Sequence, residues 1–123
     1  MKLGLLTAAF PGKTLNEVAG WAGTNGFEML ELACWPAGKA TRRYAGVTTL
    51  DVTNLGQKEA DEVKAIMEQN SLQISSLAYY PNPMHPDEEH RSVVIEHLKK
   101  VIDAAEKVMD NPIVGTFIGK DKD

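Results

Sequence analysis

The sequence predicts an α/β fold: the N-terminal half of a (β/α)8 barrel, about four strands and three helices, forming one partial barrel domain over residues 1–123. Three observations predict it. Apolar segments of strand length alternate with amphipathic segments of helix length. Links from helix to strand are minimal, whereas links from strand to helix are long. The alternation ends with a fourth strand, in 123 residues, where a complete barrel of this kind takes about 250.

The predicted order is strand Lys2–Phe10, helix Thr14–Asn25, strand Phe27–Cys34, helix Gln57–Asn70, strand Leu72–Tyr80, helix Asp87–Met109 and strand Ile113–Gly119. Thr14-Leu15-Asn16-Glu17 is a capping box, with Leu15, Val18, Ala19 and Ala22 recurring behind it at helical spacing. Asn25-Gly26 closes that helix, and Gly26 suits the left-handed position that glycine takes at low cost. The second helix sets Ala60, Val63, Ile66 and Met67 against Glu59, Asp61, Glu62, Lys64 and Glu68. The third opens on Pro86-Asp87-Glu88-Glu89, acids at the positive end of its dipole. Its apolar stripe runs through Val94, Leu98, Val101, Ile102, Ala105 and Val108 to Asn111-Pro112, which stops it.

The strands are apolar enough to be buried on both faces, as parallel sheets require. Strand two departs from this. Leu30 and Leu32 share one face, against helices, while Met29, Glu31 and Ala33 share the other. A carboxylate on that inner face needs a partner or a role. The long links Trp35–Gly56 and Pro81–Pro86 both follow strands, the rim where α/β barrels place their sites. An open doubly wound sheet has the same local asymmetry.

Composition narrows the function classes. Net charge is −4, with five Lys/Arg against four Asp/Glu over residues 1–56 and eight against thirteen over 57–123. No basic stripe accompanies a pI near 5.3, so nucleic acid is not an expected partner. The lone Cys34 excludes an internal disulfide and suits a reducing cytoplasm. No apolar run approaches the roughly 20 residues of a membrane span, and Pro11-Gly12 interrupts the one stretch resembling a signal peptide. The expectation is a cytoplasmic protein with no membrane partner.

No phosphate-binding glycine loop, Cys-x-x-Cys, His-Glu-x-x-His or nucleophile elbow is present. The candidates gather at one rim. Glu31 could orient a catalytic group, hold a ligand hydroxyl, or serve as a structural partner to a polar group on a neighbouring strand. Trp35, Tyr79 and Tyr80 could form a stacking wall for a sugar ring, or pack the loop onto the barrel. His85 could ligate a metal or touch a sugar, or hydrogen-bond the backbone of a loop between two prolines, Pro83 and Pro86. Lys39, Arg42 and Arg43 could grip an anion; a solvated loop is the plainer reading. His90 and His97, nearly in line on the third helix, read as surface or edge residues.

Glu28-Met29-Leu30-Glu31-Leu32, after Asn25-Gly26-Phe27, resembles the second strand of the xylose-isomerase-like TIM-barrel superfamily. Ile74-Ser75-Ser76-Leu77-Ala78-Tyr79-Tyr80-Pro81-Asn82 and Pro112-Ile113-Val114-Gly115-Thr116-Phe117-Ile118-Gly119 resemble strands three and four of its sugar phosphate isomerase/epimerase branch. The resemblance covers nearly the whole chain in the right order. It implies an enzyme acting on a sugar or sugar phosphate with a divalent metal (Mn²⁺, Mg²⁺, Co²⁺ or Zn²⁺) at the carboxyl end of the barrel. There the metal polarises oxygens while carboxylates move a proton through an enediolate. The family's principal ligands, two Glu, an Asp and a His, come from later strands and have no matching positions here. Glu31 matches a recurrent family position and His85 matches one loosely. The isolated chain is therefore expected to hold no metal and to be inactive, with Glu31, Trp35, Tyr79, Tyr80 and His85 as substrate-side walls. Its two exposed strand edges predict self-association. The rival readings are an endonuclease-IV-like phosphodiesterase of the same superfamily and a non-enzymatic open-sheet binding module.

Overall fold

The strands pair in chain order and all in parallel: β1 (Gly4–Leu6), β2 (Met29–Ala33), β3 (Gln73–Ala78) and β4 (Val114–Gly115). These elements come from a computed structural model that describes residues 1–38 and 44–121. The basic cluster Lys39, Arg42 and Arg43 lies outside the described residues. Helices α1 (Leu15–Thr24), α2 (Gln57–Gln69) and α3 (Glu88–Val108) connect the strands, and each packs beside the next. A doubly wound sheet reverses its strand order at a switch point. The described order 1-2-3-4 contains no reversal, as in part of a β/α barrel.

Each helix end follows its local chemistry. The Glu17 amide donates to Thr14 Oγ1 at 3.2 Å and the Thr14 amide to Glu17 Oε2 at 2.9 Å, which completes the predicted capping box. Gly26, at φ +82°, turns the chain out of α1 into β2. At α3 the Asp87 carboxylate accepts the His90 amide at 2.7 Å. The core lies between helices and sheet, where Leu30, Leu32 and Leu77 are fully buried beneath Val18, Val63 and Val101.

All four strands are shorter than their sequence suggests, β1 and β4 most of all. β1 ends at Leu6 because Thr7–Ala9 coil into a 3₁₀ turn. The fully buried Thr7 hydroxyl there takes the Ala33 amide at 2.9 Å, replacing the backbone carbonyl a longer strand would supply, and also receives the Thr49 hydroxyl at 2.8 Å. β4 pairs only through Val114 and Gly115, since it has one strand neighbour to organise it. Beyond it, the Asn82 side chain replaces the ladder: Nδ2 donates to the Lys120 carbonyl at 2.8 Å, and Oδ1 accepts the Lys120 and Met84 amides at 3.0 Å.

The apolar face of α3 is also rotated from the predicted stripe. Val94, His97, Val101, Ala104, Ala105 and Val108 are buried, whereas Ile102 is exposed. The surface assignment of His97 is thus overturned; His90 is exposed as expected. The link after β2 folds back onto the strand. Cys34 bridges Thr48 antiparallel, the Trp35 amide donates to the Val47 carbonyl at 3.2 Å, and Val47, Leu50, Val52 and Leu55 are buried.

Candidate functional site

The two faces of β2 separate as the alternation predicts. Leu30 and Leu32 are fully buried toward the helices, and Met29 and Glu31 are half-buried on the opposite face. A register shift between Leu30 and Glu31 pairs Leu30 with Ile74 but Glu31 with Ser76. From there Glu31, Ser76, Ala78 and Tyr80 follow one face by strand parity, while Leu77 and Tyr79 follow the other. The two neighbouring tyrosines therefore part company.

Tyr80 stays half-buried on the inner face, where its hydroxyl donates to Glu31 Oε1. Its ring lies 5.1 Å from that of Phe117 and 6.0 Å from that of Trp35. β4 makes room by carrying no side chain at Gly115. A Cβ there would run into Tyr80 Oη and sit 3.0 Å from Glu31 Oε1. Among the described residues nothing donates to Glu31 Oε2. The result is a carboxylate with one oxygen held and one available, flanked by three aromatic rings at the carboxyl ends of β2, β3 and β4.

Tyr79 points back into the core at 3% exposure, its ring 5.9 Å from Trp35 and 4.6 Å from the imidazole of His97. The structure thus joins Glu31 to Tyr80, sets Trp35 beside Tyr80 and Tyr79 behind Trp35, and buries Trp35 too, at 8% exposure, as part of the core. His85 stands apart in the β3–α3 link. Its Nδ1 accepts the Asp87 amide at 3.1 Å, its carbonyl accepts Arg91 Nη1 at 2.8 Å, and its ring lies 4.2 Å from His90. Among the described residues no hydrogen bond or ring contact joins it to Glu31 or Tyr80.

Phe117, Gly115 and His97 are members of this region that sequence reasoning passed over. Phe117 follows Gly115 at strand spacing, a signal for the same face. His97 falls in step with Val94, Val101 and Ala104, a signal for the buried stripe. The position of Cys34, whose carbonyl meets His97, carries no such signal.

An open groove of about 640 Å³ continues the site past β4, lined by Tyr80, Asn82, Thr116, Phe117 and Lys120 among others. A larger one, about 760 Å³, opens at the opposite end beside Glu68, Gln73 and Asp110. The first is the relevant one, because barrel chemistry sits at the carboxyl ends of the strands. Burial pushes the Tyr80 phenol up to about 12, with the Glu31 carboxylate adding to the rise, so the hydroxyl remains a donor at neutral pH. Burial likewise holds Tyr79 above the usual phenol range and pushes the Cys34 thiol up to about 12, with the charge of Glu31 contributing. Cys34 is no nucleophile in this state.

The described residues do not make a metal centre by themselves. No group of three or more His, Cys, Asp or Glu side chains converges among them. Glu31 is a single carboxylate with one oxygen engaged, and the ring nitrogens His85 Nδ1 and His97 Nε2 already face backbone partners. No described helix is long and apolar enough to cross a membrane.

Among solved structures, the D-psicose 3-epimerase from Clostridium cellulolyticum H10, determined with D-tagatose, superposes with a TM-score of 0.60 at 16% identity. The alignment covers 94% of this chain and 37% of the epimerase, so the chain spans little more than a third of that protein's length. At this identity the likeness shows the fold alone. No curated protein matches the sequence. A family model described as "Xylose isomerase-like TIM barrel" matches residues 20–123. The chain belongs to the xylose isomerase-like TIM-barrel family.

Proposed function

We propose that this chain forms the first part of a sugar or sugar phosphate isomerase/epimerase that depends on a divalent metal, and that it supplies a substrate-side wall of the active site. The observation that carries the reading is the Glu31–Tyr80 pair on the inner face, set between Trp35 and Phe117. Sugar recognition needs those groups. The C–H face of a sugar ring packs on an aromatic ring, and its hydroxyls donate to a fixed carboxylate. Glu31 Oε2 is the acceptor on offer, and Tyr80, held by Oε1, keeps the carboxylate from rotating. Among the described residues no three His, Cys, Asp or Glu side chains converge, so this reading assigns the metal ligands and the proton-transferring carboxylates to later strands of the barrel. The role of the present residues is to bind and orient. Family membership and the epimerase fold likeness support the reaction class.

The test is a titration of the chain with ketohexoses, including D-tagatose, and their phosphates, followed by ¹H–¹⁵N and aromatic NMR. Saturable shifts of Trp35 and Tyr80 with a dissociation constant on the order of millimolar are expected. Loss of those shifts in Glu31→Gln is expected as well. If no sugar shifts these residues at about 100 mM, a concentration that would load even a site this weak, the reading is wrong.

A further inference from the structure

His97 is a buried titratable residue that the proposed binding wall does not use directly. It projects from the middle of α3, 7% exposed, among residues that are otherwise apolar. A polar side chain in such a place is costly unless bonded. Its Nε2 lies 2.7 Å from the Cys34 carbonyl. A carbonyl can only accept, so Nε2 carries the proton and donates.

The location of that carbonyl gives the contact its meaning. Cys34 directly follows β2: its amide still donates to the Ala78 carbonyl at 3.0 Å, while its carbonyl belongs to the peptide leading into Trp35. In a continuing sheet such a carbonyl would receive an amide from the next strand. Here a side chain from the helix layer takes it. The Trp35 amide is tied to Val47 at 3.2 Å, so the peptide before Trp35 is held on both sides. The His97 ring also lies 4.6 Å from Tyr79, whose ring meets Trp35 edge-on at 5.9 Å. One imidazole therefore fixes the peptide before Trp35 and backs the ring behind it.

We propose that His97 is a positioning residue for the aromatic wall: from the helix side of the sheet it sets the orientation of Trp35 toward Tyr80 and Glu31. The consequence for ligand binding rests on the sugar-site reading above; the orientation of Trp35 does not.

The experiment is arranged to separate the two. Trp35 is made the only tryptophan by Trp21→Phe, which keeps a ring between Phe10 and Phe27. Two variants are compared in that background. His97→Phe keeps a ring against Tyr79 but loses the donor; His97→Gln loses the ring but keeps an N–H that can reach the carbonyl. With the fold checked by circular dichroism, His97→Phe is expected to red-shift Trp35 emission and raise its acrylamide quenching several-fold without any ligand. His97→Gln is expected to restore most of both. Ketohexose affinity should weaken roughly tenfold in His97→Phe, equivalent to about 1.4 kcal/mol, and recover in His97→Gln. A folded His97→Phe with wild-type emission and quenching overturns the proposal. Should that variant fail to fold, ¹⁵N-histidine NMR of the unmodified chain decides: a protected Nε2–H on His97 supports the proposal, and an Nδ1–H tautomer overturns it. Failure of sugar binding in the wild-type chain would overturn the sugar reading and leave the ligand-free result to stand on its own.

Discussion

The Tyr80 hydroxyl donates to Glu31 Oε1 across the inner face of the sheet, between two strands that pair directly. Gly115 lies on the next strand, where a Cβ would run into the Tyr80 hydroxyl and crowd Glu31 Oε1. Three strands thus agree on one polar contact, which ties local sequence to the geometry of the site.

Gly115→Ala is accordingly expected to destabilise the chain by about 1–3 kcal/mol, the usual range for an added carbon with no space. It should also break the Glu31–Tyr80 contact. Urea melts measure the first effect and the Tyr80 ring resonances the second. An unchanged midpoint would show that β4 stands farther from the pair than described.

Tyr80→Phe tests the same contact through pH. The Tyr80 pKa is raised above its ordinary value of 10 to about 12, so the folded state holds this proton more tightly than the unfolded state. Its stabilisation is complete below pH 10 and is lost as pH rises through about 12. Tyr80→Phe should therefore show a shallower loss of stability over that window than the parent chain. Tyr79 and Cys34, whose pKa values are also raised, contribute alike to both proteins. Equal slopes in thermal melts across the window would contradict the assignment.

Cys34 should be inert. Its side chain is fully buried, its thiol lies 3.2 Å from the Leu32 carbonyl, and its pKa is about 12. A colourimetric thiol reagent at pH 8 should label it only as fast as the chain opens, with a rate rising steeply in urea. Fast labelling without denaturant would mean that the segment over β2 does not cover it.

The two edges of the sheet bear on assembly. β1 and β4 each pair with one strand, and Leu3, Ile113, Phe117 and Ile118 near them are all more than half exposed. Unpaired edges with apolar neighbours invite pairing with another chain. We therefore propose that the 123-residue chain self-associates, and that Ile118→Lys weakens this association. Sedimentation at micromolar concentration tests it: a concentration-dependent shift is expected, and a monomer throughout would overturn it.

Much of this was legible in the sequence because it rests on periodicity. The alternation around Leu30 and Leu32 placed Glu31 on the inner face, and the Thr14–Glu17 box and Gly26 bounded the first helix. What was not legible depended on tertiary competition. Thr7 ends β1 because its hydroxyl replaces a backbone acceptor for Ala33, a bond between residues 26 positions apart that no local pattern encodes. A histidine counts as polar in any local pattern, so His97 reads as surface or edge; its burial depends on a carbonyl 63 residues away. Tyr79 and Tyr80 could not be told apart before the register shift in β3 was known, since that shift decides which ring faces the helices.

We propose that the inner face around Glu31 and Tyr80 binds a sugar. Intermolecular NOEs between a ketohexose and the ring protons of the ¹³C-labelled chain test it most directly. Contacts from the sugar C–H protons to the rings of Tyr80, Trp35 and Phe117, lost in Glu31→Gln, are the predicted result. Saturable sugar contacts confined to other surfaces, or no contacts at all, would contradict it.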